Sequence, residues 1–177
     1  LPKPVHSLLT FLRRGALSAP LLAGCLLVSS CQEKRPISGK VPTIALKSFS
    51  GETFTLGGDD KDVTLLVFWA TWCQPCLMEV PTLVKLHGKY QDRKFRVVSI
   101  NVDDPEGQKV KSIARDFGIN YPVLIGNEDI MKQFGGVVAL PTSFLIGRDG
   151  RIREKLQGLR PEDELEQMVV KALETAG

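Results

Sequence analysis

The chain has 177 residues, of which 43% are hydrophobic and 24% charged, the proportions of one globular domain with a sizeable core and no room for a second catalytic one. Its formal charge is +3, but Lys3, Arg13 and Arg14 lie ahead of residue 32, and without them 20 basic residues meet 20 acidic ones. A neutral body lacks the basic footprint that nucleic acid selects, so nucleic-acid binding is excluded.

Residues 1–31 read as an export signal rather than as part of the fold. Arg13 and Arg14 precede the uncharged stretch Gly15 to Ser30, which meets Cys31 and then the polar run Gln32-Glu33-Lys34-Arg35. That is a positive n-region, an apolar h-region and small residues before a cleavage point. The apolar stretch is shorter than the roughly 20 residues that a spanning helix needs. Ser29-Ser30-Cys31 resembles a lipobox, whose cysteine is acylated and becomes the first residue of the mature protein, and Leu22-Ala23-Gly24-Cys25 resembles another. Cys31 is the better candidate for lipid attachment, because cleavage before Cys25 leaves the apolar Leu26-Leu27-Val28 on the mature chain. An uncleaved signal anchor and an ordinary cleaved signal are the alternatives; in each case the domain is exported. The expected organisation is a signal or anchor over 1–31, a linker over 32–40 and a folded domain over 41–177. Of the four cysteines, the folded body then keeps Cys73 and Cys76, with no structural disulfide left to assign.

Within the body, Gly39 to Asp60 alternates short apolar pieces with turn residues and predicts a β-hairpin. Val63 to Trp69 is a continuous apolar, β-branched run and predicts a strand buried on both faces. From Pro75 to Tyr90, the positions Leu77, Val80, Leu83, Val84 and Leu86 recur at helical spacing around Pro81, which is expected to kink the helix. Phe95 to Val102 predicts a second buried strand. Gly107 to Phe117 predicts an amphipathic helix with Val110, Ile113, Ala114 and Phe117 on one side, stopped by Gly118. A short strand over Tyr121 to Ile125 and a helix over Glu128 to Phe134 follow. Ser143 to Ile146 predicts a third core strand, and Asp149-Gly150 a turn from which Arg151 to Gln157 returns antiparallel. Pro161 opens a last helix, with Glu162, Asp163 and Glu164 in the first turn where the helix dipole favours acids. Strands alternating with helices and a terminal hairpin and helix give an α/β fold with a central mixed sheet flanked by helices.

Cys73-Gln74-Pro75-Cys76 falls at the junction between the first buried strand and its helix. A cysteine in the first turn of a helix has its thiolate stabilised by free backbone N–H groups and the positive end of the dipole, which lowers its pKa. Cys76 lies one turn on, within the Cα separation that a disulfide accepts. Reduced Cys73 is therefore expected to attack a disulfide, and Cys76 to resolve the mixed disulfide that results. No metal is expected, since zinc needs two further Cys or His ligands and the body offers His87 alone. The redox-active Cys73–Cys76 pair takes the place of a cofactor. His87 reads as a solvated helix residue, Asp103 and Asp104 as the start of an ordinary loop, Trp69 as core, and Trp72 as a rim residue lining the substrate groove.

Val67-Phe68-Trp69-Ala70-Thr71-Trp72-Cys73-Gln74-Pro75-Cys76, with Glu79 and Pro81, resembles the signature of the TlpA/ResA/CcmG-type membrane-anchored thioredoxins. Leu140-Pro141-Thr142, Phe144-Leu145-Ile146 and Asp149-Gly150-Arg151-Ile152 resemble that family's second signature. The resemblance implies a thioredoxin-like fold with an N-terminal β-hairpin and a central strand–helix insertion, here Phe95 to Ile119. It also implies an extracytoplasmic thiol:disulfide oxidoreductase, a monomer that reduces protein disulfides and is itself served by a membrane electron donor. Several members act in cytochrome c maturation. By the same resemblance Pro141 is the cis-proline facing the disulfide, Leu140 and Thr142 border the bound substrate, and Glu79 exchanges a proton with Cys76, with a pKa raised by its surroundings. Ordinary thioredoxins carry a buried Asp six residues before the first cysteine. Here that position is Val67, which places the acid–base work on Glu79. Two other readings are a thiol peroxidase, whose Pro-x-x-x-Thr-x-x-Cys context lacks its proline here, and a copper-delivery module, whose Cys-x-x-x-Cys is one residue longer.

Overall fold

The structure, a computed structural model, describes residues 39–58 and 61–175. The signal, Cys25, Cys31 and the linker as far as residue 38 lie outside the described residues. Ile44–Lys47 (β1) and Thr53–Leu56 (β2) pair antiparallel as the expected hairpin. Val63–Trp69 (β3) is buried at all seven positions, as its unbroken apolar run requires. Helix α1 (Gln74–Tyr90) continues through Pro81, and β4 (Phe95–Asn101), α2 (Gln108–Asp116), β5 (Val123–Ile125) and α3 (Glu128–Gln133) follow. Strands β6 (Thr142–Ile146) and β7 (Ile152–Gln157) and helix α4 (Glu162–Thr175) complete the order.

The five-stranded sheet runs β5-β4-β3-β6-β7. Strands β3, β4 and β5 are parallel, whereas β6 and β7 join antiparallel. The strand of the expected insertion, β4, therefore lies inside the sheet, paired to β3 along its whole length. Alternation along the strands divides the core between two faces. Leu65, Val67, Trp69, Phe95 and Val97 pack with Leu83 and Leu86 of α1, Val110 of α2 and Leu165 and Val169 of α4. Leu66, Phe68, Val98, Ile100 and Phe144 pack with Ile130 of α3, Phe134 and the hairpin residues Ile44, Leu46 and Phe54. On α2 the expected stripe holds for Val110 and Ala114, but Phe117 is 40% exposed. It has become the C-cap of a Schellman turn, in which Gly118 takes φ +63° and the Ile119 N–H reaches back to the Ala114 carbonyl.

The segment ahead of the hairpin and the residues just after β1 reach both margins of this sheet. Val41 donates to the Gly150 carbonyl and Ile152 to the Gly39 carbonyl beside the start of β7, while Phe49 donates to the Val123 carbonyl on β5. Isolated bridges Lys40–Arg151 and Ser48–Leu124 mark the same two places.

Candidate active site

The chain leaves β3 at Trp69 and turns over four residues, Ala70 to Cys73, into α1. Asp103, in the loop after β4, holds this turn: its carboxylate accepts from the Thr71 N–H at 2.8 Å, the Thr71 hydroxyl at 2.6 Å and the Asn101 amide at 2.8 Å. Burial pushes the Asp103 carboxyl upward, but the Thr71 and Asn101 donors and the charge of Lys109 outweigh it and hold it below the ordinary aspartate range. Asp104 accepts from the Val110 N–H at 2.9 Å and so fixes the start of α2. Of the two acids that the sequence offers as ordinary loop residues, Asp103 thus braces the approach to Cys73 and Asp104 the start of α2.

Cys73 is the N-cap of α1, in extended backbone conformation, and its Sγ accepts the Cys76 N–H at 3.3 Å. Pro75 occupies the first turn, which holds no acidic residue to oppose a thiolate. Cys73 and Cys76 are joined in a disulfide with a Cα separation of 5.3 Å, and each is 3% exposed. The Leu140–Pro141 peptide is cis, as the resemblance implies. The Pro141 carbonyl accepts the Gly158 N–H at 2.8 Å. Trp72 is 73% exposed and Val138 86%, while Leu140 is half-buried, so the segments just before Cys73 and just before Pro141 present an exposed apolar rim. Thr142 does not belong to that rim. It is fully buried and its hydroxyl donates to the Ala139 carbonyl at 2.7 Å, which ties the turn before β6 instead of facing a substrate.

Glu79 lies one turn beyond Cys76 on α1 and is only 2% exposed. Burial raises its carboxyl to about 7, while the N–H and charge of Arg160 pull the other way without restoring the usual value. Its Oε1 accepts from the Arg160 N–H at 3.4 Å, and its Oε2 is buried without a hydrogen-bond partner. Tyr121, also buried, is pushed far up by burial and by the negative charge of Glu79, so its phenol stays protonated. Arg160 and Tyr121 carry no motif that marks them: one precedes Pro161, the other Pro122, and each joins the site through the fold alone.

His87 departs from the expectation of a solvated residue. Its Nδ1 accepts the Val97 N–H at 3.1 Å and its ring meets Tyr121 edge-on at 6.1 Å. Burial lowers its pKa, which keeps the imidazole neutral and able to accept. Among the described residues no group of three or more His, Cys, Asp or Glu could hold a metal ion, and no helix is long and apolar enough to cross a membrane.

Comparison with known proteins adds a lineage to this geometry. Residues 37–155 match the model of the AhpC/TSA family. The thiol-disulfide oxidoreductase ResA of Bacillus cereus is 30% identical over 80% of this chain and 82% of its own. The thioredoxin-like protein YneN of Bacillus subtilis is 33% identical over 72% and 75% of the two chains. A Chlorobium tepidum crystal structure, assigned as thiol:disulfide interchange protein DsbE, superposes with a TM-score of 0.70 at 31% identity, covering 77% of this chain and 96% of that one.

Proposed function

Because the chain belongs to the AhpC/TSA family and is a thiol–disulfide oxidoreductase of the ResA type, we propose that it works outside the cytoplasm as a membrane-tethered reductant of protein disulfides. The observation that carries this reading is the place of Cys73: it caps α1, receives the Cys76 N–H on its sulfur and is bonded to Cys76 in a disulfide. The same N–H that meets Sγ here, with the positive end of the helix dipole, stabilises a thiolate once the pair is reduced.

In the reduced protein the Cys73 thiolate attacks one sulfur of a substrate disulfide. The substrate S–S bond breaks, its second sulfur leaves as a thiolate, and Cys73 holds the first in a mixed disulfide. Cys76 then gives its proton to the Glu79 carboxylate and attacks the Cys73 sulfur. The Cys73–Cys76 bond forms, the mixed bond breaks, and of the two departing substrate thiolates one takes the proton that Glu79 held and the other takes a proton from solvent, where Cys73 had released its own on ionising. Two electrons pass to the substrate, and a membrane electron donor returns the pair to its dithiol. Leu140 and Pro141 would align an extended substrate strand, since a proline offers no N–H to engage the sulfurs, and Trp72 would cover its apolar side chains. The signal-like sequence over 1–31, with Cys31 as lipid acceptor, supports export and tethering. Apocytochrome c is the substrate that the ResA resemblance favours.

The test is a redox titration in thiol buffers, followed by tryptophan fluorescence and alkylation mass shift. A reversible two-electron couple near the thioredoxin value of about −270 mV is expected. Cys76→Ser should accumulate mixed disulfides through Cys73. The absence of a couple, or of trapped species, would refute the reading, and a strongly oxidising couple would turn the protein into a disulfide donor.

A further inference from the structure

The connector between β7 and α4 touches both halves of the site. Its Gly158 N–H donates to the Pro141 carbonyl at 2.8 Å, and two residues on its Arg160 N–H donates to Glu79 Oε1 at 3.4 Å. The Arg160 guanidinium is only partly engaged. Nη1 meets Glu164 Oε1 and Nη2 meets the Gln157 carbonyl, each at 3.4 Å, while Nε is buried with no partner. Glu79 Oε2 is likewise buried with no partner. A donor without an acceptor and an acceptor without a donor thus sit on two residues that a main-chain hydrogen bond already joins. Each such orphan is costly in a low-dielectric interior, and an ionised carboxylate more so.

We propose that Arg160 is a positioning residue that sets the charge of Glu79: its main-chain N–H holds Oε1, and its guanidinium, with a free Nε–H, supports the carboxylate in a place that burial would otherwise keep neutral. The inference rests on the proton-transfer reading of Glu79 only for its consequence in turnover. The charge of Arg160 does act on Glu79 in the direction required. The other ionisable groups around Glu79 do not supply that charge. Cys73 and Cys76, on its own helix side, are tied in the disulfide. Tyr121 keeps its proton, and His87 behind it is held neutral by burial. Glu164 on α4 competes for the guanidinium.

In the oxidised protein, where neither Cys73 nor Cys76 titrates, infrared difference spectroscopy follows the carboxyl C=O band of Glu79, assigned by its loss in Glu79→Gln. Arg160→Gln is expected to move the midpoint of that band upward by about one unit, the lower end of what a close charge produces. Arg160→Lys, which keeps both the charge and the N–H, should recover at least half of that displacement. Glu164→Gln frees the guanidinium and should move the midpoint downward. An unmoved midpoint in Arg160→Gln, or a lysine variant displaced as far as the glutamine one, overturns the inference. Should Arg160→Gln fail to fold, Glu164→Gln decides alone, a downward shift supporting and no shift overturning. The rate of the Cys76 resolving step against pH separates the two ideas. If the band moves and the rate profile does not, Arg160 sets the charge of Glu79 while the proton-transfer reading falls.

Discussion

The two ends of α1 are built on opposite terms. At its C-terminal end nearly every polar side chain is committed. Lys85 pairs with Glu162 and Lys89 with Glu166 across to α4, Tyr90 donates to Glu166 at 2.7 Å, and His87 accepts from β4. The Asn120 amide also donates to the Val84 carbonyl at 3.2 Å. At the N-terminal end Cys73 and Cys76 answer only each other, and Glu79 has a buried oxygen with no partner. One helix is thus anchored by its far end and left reactive at its near one. Bonds that would stabilise the near end would also quench the groups that carry the chemistry.

Glu79→Gln should give the largest departure between the two ends. The folded carboxyl titrates near 7 against 4.5 when unperturbed, so the folded state holds its proton more tightly than the unfolded one. Stability from this group is complete below the unfolded value, declines as pH rises through the interval and is lost above the folded value. The difference amounts to about 3 kcal/mol. The glutamine variant should therefore match the parent near pH 4 and exceed it by about that amount at pH 8, as read by urea unfolding at both pH values, while reducing disulfides more slowly. Equal stability at pH 8 would mean that the near end is no less satisfied than the far one.

Asp103→Ala comes next. It strips an acceptor from the Thr71 N–H, the Thr71 hydroxyl and the Asn101 amide together, and should cost about 2 kcal/mol. A shift of the urea midpoint without a change in slope is the expected form. A negligible cost would show that the turn before Cys73 stands without its brace. The smallest effect belongs to the far end. Lys89→Met removes an exposed ion pair of the kind that salt screens and that contributes little, and it should leave both the thermal midpoint and the redox couple where they are.

The fold was legible in the sequence wherever a local pattern had one physical reading. The unbroken run Val63 to Trp69 could be buried only on both faces, and Asp149-Gly150 between apolar strands could be little other than a hairpin turn. The cysteine pair was legible for the same reason, being spaced for its own chemistry. What escaped was whatever depended on a partner far along the chain. Asp103 reaches Thr71 across 32 residues and Arg160 reaches Glu79 across 81, and no window of sequence contains both ends of such a bond. His87 was misread because a polar residue on a helix is ordinarily solvated, whereas here a β4 N–H supplies its partner. Thr142, which the resemblance sets at the border of a bound substrate, is buried and spends its hydroxyl on the Ala139 carbonyl, a local bond that the Leu-Pro-Thr motif does not announce.

The stretch from Gly39 to Phe49 has a consequence for behaviour in a crowd. A twisted sheet normally ends in rows of unpaired N–H and C=O groups that can recruit a strand from another molecule, the first step of aggregation. Here one short length of chain meets both margins, closing the beginning of β7 with Gly39 and Val41 and the middle of β5 with Ser48 and Phe49. It acts as a gatekeeper at two doors at once. A form that lost the chain through Phe49 would open both together, and would be prone to self-association even with its disulfide intact.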